Sequence, residues 1–335
     1  MGCKRTCAGL LVLFGLSLGL RLWPIDHGLP RSYVPDSHVV RNALGMARDR
    51  DPVPPANAYS SYPYLVAYML LPVYAGEYAA GRALGAWGGA QEFGMRAVED
   101  PTVSQLPARI LVAVLGALTP LAIFGAARAA GLKLGAWVAA WLAATSLLHV
   151  QFSTQERPWV PLVFFGALAA WASLVHARDG SARSLVLGGL AAGLAFACHQ
   201  AGLAMLALPG LAWLGSPRGW RGAELRRRLA QGVACVALFA LVGLVLGYPY
   251  YLRHGAVPDA AMIGGEQAEG KLSIGAQSIV FGVSMDSLRR LSGALVGYDP
   301  VVMLLGIAGI VLAFKRPVLR PLAIFVAAWG AFFMT

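Results

Sequence analysis

The stretch QLPARILVAVLGALTPLAIFGA, residues 105–126, decides the fold class of this chain. Its only charged residue is Arg109, and about 20 mostly apolar residues suffice for an α-helix to cross a bilayer. We therefore predict a membrane-spanning helix here. Eight more apolar stretches lie on either side of it, at residues 8–24, 135–152, 159–177, 185–199, 201–214, 230–250, 299–314 and 319–335.

The composition of the 335 residues supports the same class. Hydrophobic residues make up 58% and charged residues 13%, whereas a soluble domain has about 25% charged residues. A disordered chain would need the opposite balance, and Cys198 and Cys235 lie inside apolar runs, which argues against a disulfide scaffold. We predict an all-α polytopic membrane protein with about nine transmembrane helices.

Two parts of this pattern are ambiguous. The stretches 185–199 and 201–214 are short and meet at Ala197-Cys198-His199-Gln200, so they form either two spans or one broken helix. Residues 64–83 are also apolar, but they include Pro72, Glu77 and Arg82. We interpret them as an interfacial or re-entrant helix.

The net charge of +11 follows the membrane topology. With the N-terminus in the cytoplasm and residues 64–83 outside, the short inside loops with Arg320 hold 14 basic and 2 acidic residues, and the outside holds 13 basic and 14 acidic residues. Those inside loops are residues 1–7, 127–134, 178–184, 215–229 and 315–318. Basic residues concentrate in short cytoplasmic loops of membrane proteins, so a nucleic-acid partner is not needed to explain the charge. No A-x-A cleavage site follows the first span, so we expect a retained anchor.

The predicted outside regions, about 25–104 and 251–298, hold the candidate functional residues. Asp36 opens an amphipathic helical pattern from Ser37 to Arg48, with Val40, Ala43, Leu44 and Ala47 on one face. Such a helix lies on a membrane surface. Asp36 acts as the N-cap of this helix, as a carboxylate that takes part in the chemistry of the site, or as both.

The other candidates also lie at predicted outer ends of spans. Each residue has two possible roles. The structural role is that of an interfacial anchor, a loop ion pair or a polar cap, and the functional role is contact with the substrate or a lipid phosphate. They are His38, Tyr62 in Tyr62-Pro63-Tyr64, Glu156 and Arg157 in the loop 149–159, His199, Tyr250 in Tyr248-Pro249-Tyr250-Tyr251, and Arg253.

The order of several short motifs resembles the membrane glycosyltransferases of the C-type (GT-C) fold, which include protein O-mannosyltransferases and lipid A aminoarabinose transferases. The motifs are VPDSHVVRNAL at 34–44, SYPYLVAYML at 61–70, ARILVAVLGALTPLAIFGAARAAG at 108–131, LLHVQFSTQERPWVPLVFF at 147–165, GGLAAGLAFACHQAGLAML at 188–206 and GYPYYL at 247–252.

This resemblance implies a seven-span core at 1–250 that includes the outer loop 25–104, a large outer loop at 251–298, and C-terminal spans at 299–335. Relatives continue with more spans, which would make this chain a shortened form or an interrupted reading frame. The resemblance also implies transfer of a sugar from a polyprenyl-phosphate donor, with Asp36 as the base that acts on the acceptor. Arg157, His199 and Arg253 are then the candidates to stabilise the departing phosphate.

The sequence departs from the family pattern at three places. Ser37 stands where relatives usually have Glu, Trp159 stands where they carry a second acid, and His199 replaces a lysine. A divalent cation needs several oxygen ligands, so we expect no certain cofactor and regard a metal site as doubtful.

We therefore expect an integral protein of a bacterial inner membrane, with its active face outside, that acts on a lipid-linked sugar and an unidentified acceptor. A non-catalytic paralogue that binds the lipid-linked sugar is the main alternative. A transporter is a weaker alternative. It would place charges in the middle of spans, and the predicted spans have almost none there.

Overall fold

The computed structural model describes residues 2–31, 37–55, 58–59, 62–216, 221–255, 271–274, 277–280 and 285–332. Its α-helices are α1 Gly2–Leu22, α2 His38–Asp49, α3 Leu65–Ala83, α4 Ala90–Glu99, α5 Pro101–Ala129, α6 Lys133–Thr145, α7 Leu147–Ser153, α8 Trp159–Asp179, α9 Ala182–Cys198, α10 Ala207–Leu214, α11 Gly222–Val242, α12 Pro249–His254, α13 Met285–Tyr298, α14 Pro300–Phe314 and α15 Arg320–Phe332. Two 3-10 helices, Gln200–Leu206 and Pro317–Leu319, and a π-helical turn, Gly243–Gly247, complete the helical segments.

The helix that contains the deciding stretch, α5, lies at the centre of the fold. It begins with Pro101, whose fixed φ suits a first helical turn, and the Asp100 carboxylate accepts a hydrogen bond from the Thr102 backbone N–H at 2.9 Å. α5 packs against α1, α6 and α8. About half of the α5 residues are buried, so this span is surrounded by protein and not only by lipid.

The predicted span 135–152 is two helices, α6 and α7, that meet at an angle of 53° at Ser146. Two side chains satisfy the free backbone donors at the start of α7. Ser146 Oγ accepts from the His149 N–H at 3.2 Å, and Asp299 accepts from the N–H groups of Leu147 at 3.0 Å and Leu148 at 3.1 Å. The residue before α14 therefore caps a helix that lies about 150 positions earlier in the chain.

The ambiguous region around His199 is a tight reversal between two antiparallel segments. A Cβ atom on Gly202 would lie 2.3 Å from the backbone carbon of Ala195, and one on Gly188 would lie 3.2 Å from Pro209. Such a close approach requires glycine at position 202. Of the two sequence interpretations, the structure supports two segments, because a single broken helix would separate these residues.

The amphipathic segment in the first predicted outer loop forms α2, one residue later than predicted, with Ser37 at the N-cap position. Its buried apolar residues are Val39, Val40, Ala43 and Met46. α3 packs against α2, α5 and α9, and its buried side chains belong to the largest hydrophobic core of the molecule.

Among the described residues, four helical segments are long and apolar enough to cross a membrane: Lys4–Leu22, Pro101–Ala129, Trp159–Asp179 and Gly222–Gly247, and α6 with α7 adds a fifth if the bent pair is one span. The remaining predicted stretches form shorter apolar helices, and α3 is not among the spanning candidates. The prediction of an all-α membrane fold is confirmed, and the number of nine spans stays a prediction.

The predicted outer loop 251–298 contains two strands and the helix α13, which the sequence did not predict. Strands β1 Lys271–Ile274 and β2 Gln277–Val280 pair antiparallel, with Lys271 opposite Val280. Beyond them, α14 exposes apolar side chains such as Leu304 and Val311, as a lipid-facing helix does. The Phe325 side chain of α15 joins the main core.

Candidate active site

Four aromatic and imidazole rings from four separate chain segments meet next to the first predicted outer loop. The ring centroids of His38 and Tyr62 lie 5.1 Å apart, those of Tyr62 and His199 lie 5.4 Å apart, and those of Trp159 and His199 lie 4.1 Å apart. We call this chain of four rings the ring junction. It joins the start of α2, the segment before α3, the start of α8 and the reversal after α9.

His199 is the central residue of the ring junction, and it is 1% exposed. Its Nδ1 accepts a hydrogen bond from the Ala201 N–H at 3.1 Å, which assigns the ring proton to Nε2 in the neutral imidazole. Burial lowers the pKa of His199 to about 4. The ring is therefore neutral at pH 7, and it caps the 3-10 helix that follows it.

Asp36, the predicted base, lies outside the described residues. It is separated only by Ser37 from His38, and the His38 ring is the α2 end of the ring junction. Arg41, one turn into α2, has a guanidinium nitrogen 3.5 Å from His38 Nδ1. The described chain thus joins the ring junction at His38, two residues after Asp36 in the sequence.

Two tyrosine motifs that are far apart in sequence pack together. The backbone N–H of Tyr64 donates to the carbonyl of Gly247 at 2.9 Å, and the Tyr64 and Tyr250 rings lie 5.2 Å apart. Tyr250 is buried and also contacts Tyr248 and Tyr251. This packing holds the start of α3 against α12, and Tyr250 is part of the core as well as a predicted substrate contact.

Glu156 is fully buried, and its carboxylate accepts a hydrogen bond from Arg109 Nε at 2.8 Å. The same guanidinium donates to the carbonyl groups of Ile25 at 3.2 Å and His27 at 2.8 Å. The second Glu156 oxygen accepts no hydrogen bond from any described residue. This pair fixes the loop after α1 and the turn before α8 to α5. Arg157, the next residue, is half-buried.

Arg253 forms an ion pair with Asp51 and donates to the carbonyl of Val53 at 3.1 Å. His254 also contacts that carbonyl, at 2.9 Å. The pKa of Asp51 lies below its usual value, first because the Val53 backbone N–H donates to the carboxylate and also because Arg253 is paired with it. Arg253 thus ties α12 to the segment after α2, and contact with a donor phosphate would require this tie to open.

A second buried guanidinium, Arg21, lies at the end of α1 and is 0% exposed. It donates to Ser17 Oγ at 2.7 Å and to the carbonyl of Ala144 at 3.1 Å, and its Nη2 lies 2.8 Å from His149 Nδ1. Neither Arg21 nor Arg109 is among the functional residues predicted from the sequence. The available signal was an arginine inside or at the end of an apolar run, where a charge needs a partner.

Across the part of the chain that the structure describes, no group of three or more His, Cys, Asp and Glu side chains is placed to hold a metal ion. Asp36, the acid in the family motif, is not within that part. The four described side chains of the ring junction therefore present rings and ring nitrogens.

Comparisons with known proteins agree with this architecture. Residues 98–246 match the family described as dolichyl-phosphate-mannose-protein mannosyltransferase. This range includes Arg109, Glu156, Trp159 and His199, and it excludes His38 and Tyr62. No curated protein matches the chain by sequence.

Among solved structures, the S. cerevisiae protein O-mannosyltransferase Pmt1-Pmt2 complex bound to the sugar donor matches with a TM-score of 0.51 and 22% identity. The match covers 76% of this chain and 34% of that chain, so this chain spans about a third of that relative's length. Together with the apolar helices, these similarities establish that the chain is an integral membrane protein with the GT-C glycosyltransferase fold of the protein O-mannosyltransferases.

Proposed function

We propose that this protein is a membrane glycosyltransferase that moves a sugar from a polyprenyl-phosphate donor to an acceptor. In this proposal it resides in a bacterial inner membrane, with its N-terminus inside and its active face outside. The sugar, the chain length of the lipid and the acceptor are left to experiment. The GT-C fold and the match of residues 98–246 to a family named for a dolichyl-phosphate-mannose donor support this class of reaction.

The observation that carries the proposal is the ring junction. It brings the start of α2, immediately after Asp36, against the start of α8 and the His199 reversal. Aromatic side chains are typical of the lining of ligand sites, and we propose that these rings contact a sugar or a prenyl chain. In this proposal, Asp36 acts on an acceptor that binds beside the rings.

The chemistry assigned to these residues is acid–base and electrostatic. Asp36 takes the proton from the acceptor hydroxyl as that oxygen attacks the anomeric carbon, and the bond from the anomeric carbon to the phosphate oxygen breaks. Arg157, half-buried next to the start of α8, supplies positive charge for the departing phosphate. His199, neutral at pH 7, positions the acceptor or donor through its Nε2–H.

The remaining predicted contacts take different roles in this proposal. Glu156 is a positioning residue, because its carboxylate is paired with Arg109 and has no exposed surface. Tyr250 supports the wall of the site from the core. Arg253 joins the donor site only when its ion pair with Asp51 opens.

The alternative is a paralogue that binds the lipid-linked sugar without transferring it. The observation that favours it is the pairing of Glu156 with Arg109. Asp36 and Glu156 are the two acids predicted for the site. Because Glu156 is held in an ion pair with Arg109, Asp36 is the predicted acid that is left to act as the base.

The test uses purified protein in detergent with a panel of polyprenyl-phosphate sugars of long and short lipid chains. Release of free polyprenyl phosphate is followed by mass spectrometry for the wild type, Asp36→Asn and the matched control Asp26→Asn, which changes an exposed acid of the same outer loop. Losing a general base costs about 10²–10⁴-fold in rate, so we expect that loss in Asp36→Asn and little change in Asp26→Asn.

Two other results would change the conclusion. Full release by Asp36→Asn would remove Asp36 from the mechanism. No release by the wild type with any donor, together with saturable binding of one of them, would identify the binding paralogue.

A further inference from the structure

A second concave surface lies where α1, α5 and α8 meet, and the proposed transfer reaction does not use it. It is a groove of about 690 Å³, a size in the range of about 300–1,000 Å³ that is usual for ligand sites. Its apolar wall includes Leu10 of α1, Leu121 and Phe124 of α5, and Phe164, Leu168 and Trp171 of α8. We call it the basal groove.

The groove is built by the way α8 packs on α5. The Trp171 ring lies directly against the α5 backbone, because a Cβ atom on Gly125 would come within 2.6 Å of it. This ring, which is 40% exposed, forms part of the wall next to Leu168. α5 also packs against α1, and the groove occupies the space where the three helices meet.

Two arginines also line the basal groove. Arg128 is in the last turn of α5, and Arg178 is in the last turn of α8. Arg128 is exposed, and its guanidinium group makes no hydrogen bond or ion pair with any described residue. Arg178 contacts the neighbouring Asp179 at 3.2 Å in a solvent-exposed pair, and such pairs are worth little.

Basic residues often occur in the last turn of a helix because they offset the helix dipole. That effect explains one arginine at the end of each helix. It does not explain why both guanidinium groups line one apolar groove. An apolar groove that ends in two cations is complementary to an amphiphile with a negatively charged head.

The arginine end of the basal groove is far from the ring junction. α8 begins at Trp159, which is part of the ring junction, and ends at Asp179, next to Arg178. At 1.5 Å per residue these two ends are about 30 Å apart, roughly the thickness of the hydrocarbon core of a bilayer. The head group of a ligand bound by these arginines is therefore at the opposite membrane surface from a donor bound at the ring junction.

We propose that the basal groove binds one anionic phospholipid of the surrounding bilayer. An acyl chain lies along the walls formed by α1, α5 and α8, and the phosphate accepts hydrogen bonds from Arg128 and Arg178. Guanidinium groups suit phosphate because they offer two parallel N–H donors. A zwitterionic lipid fits less well, since its own ammonium group competes for the phosphate.

The experiment is native mass spectrometry of the full chain in detergent, titrated with phosphatidylglycerol or with phosphatidylcholine of the same acyl chains. The wild type is expected to retain one phosphatidylglycerol at concentrations where phosphatidylcholine dissociates. Each surface cation contributes about 1 kcal/mol to binding an anionic lipid. The double variant Arg128→Gln/Arg178→Gln should therefore bind about 10–30-fold more weakly.

Two further variants separate the groove from general charge and from misfolding. Arg226→Gln/Arg227→Gln removes two exposed arginines in the first turns of α11. α11 runs parallel to α9 and so starts at the same end of the bundle, since Gly189 approaches Cys235 and Gly193 approaches Phe239. This control should bind like the wild type. Leu168→Trp keeps all charges and fills the groove, and it should lose the lipid.

Equal retention of both lipids by the wild type would overturn the proposal, and so would unchanged binding by Arg128→Gln/Arg178→Gln or by Leu168→Trp. Equal weakening by the α11 control would show that the basic face attracts anionic lipid without a groove site, which also overturns it. None of these outcomes depends on transfer activity.

Discussion

The side chains at and around the predicted site fall into two environments. In the ring junction, His38, Tyr62, His199 and Trp159 contact one another through ring faces and edges. In the second environment, guanidinium groups already have carboxylate partners. Arg109 is paired with Glu156, and Arg253 is paired with Asp51. Polar residues at the outer end of a span are thus not equally available to a substrate, since some of them have partners that hold the fold together.

The largest expected effect tests the structural side of this comparison. Glu156→Gln leaves the buried Arg109 without a charged partner, and breaking a buried ion pair on one side costs about 3–5 kcal/mol. We expect a lower free energy of unfolding, measured by thermal or denaturant unfolding in detergent. The matched control is Glu92→Gln, whose exposed pair with Arg96 spans 3.6 Å and should matter little.

A double variant sharpens the same test. Arg109→Met/Glu156→Leu removes both charges, and it should recover much of the lost stability because no buried charge stays unpaired. If Glu156→Gln instead unfolds like the wild type but loses transfer, Glu156 belongs with the ring junction and its assigned positioning role is wrong.

The second effect is a pH dependence that originates in the ring junction. Burial lowers the pKa of folded His199 to about 4, below its ordinary 6.5. The unfolded chain therefore binds a proton more readily, so the stability contributed by the neutral ring is present above pH 6.5 and is lost as the pH falls toward 4. From pH 7 to pH 5 this amounts to about 2 kcal/mol.

Unfolding measured across this pH range in wild type and His199→Asn checks the sign, because the variant lacks the titrating ring. The wild type should lose more stability on acidification than the variant does. A variant with the same slope as the wild type would show that other groups dominate the titration.

The third effect separates two contributions of His199: the hydrogen bond that caps the 3-10 helix and the contacts of its ring. Asn can accept a hydrogen bond from the Ala201 N–H as His199 does, whereas Ala cannot. His199→Ala should lose about 1 kcal/mol more stability than His199→Asn. Both variants lose the ring contacts with Tyr62 and Trp159, so both should bind the lipid-linked sugar more weakly in a donor-binding titration. Wild-type affinity in both would exclude the ring from the donor site.

The smallest effect concerns the exposed tie between Arg253 and Asp51. Arg253→Gln and Asp51→Asn should each change the free energy of unfolding by about 1 kcal/mol or less. If Arg253 only ties α12 to the loop, both variants should bind donor equally well. If Arg253 also contacts the donor phosphate, only Arg253→Gln should weaken donor binding. Arg253 would then belong, with the residues of the ring junction, to the substrate-binding site.

Much of the fold was predictable because apolar composition is a local property. The stretch 105–126 lies within α5, which is long and apolar enough to cross a membrane, and the segments 37–48 and 64–83 form helices within one residue of their predicted bounds. The 53° bend at Ser146 was not predictable, because the Asp299 side chain that caps α7 lies far away in sequence. The sequence left two alternatives for the region around His199, two spans or one broken helix. The close packing of Gly202 against Ala195 distinguishes them.

By itself, the sequence determined that this is a helical membrane protein and which helices carry polar groups at their ends, since both depend on how each segment partitions between water and hydrocarbon. Tertiary structure alone decided which of those polar groups meet. Arg109 and Glu156 are 47 residues apart, and Tyr62 and His199 are 137 apart. Burial makes their pairing necessary, but only the packing of α3, α5, α8 and α9 selects the partner.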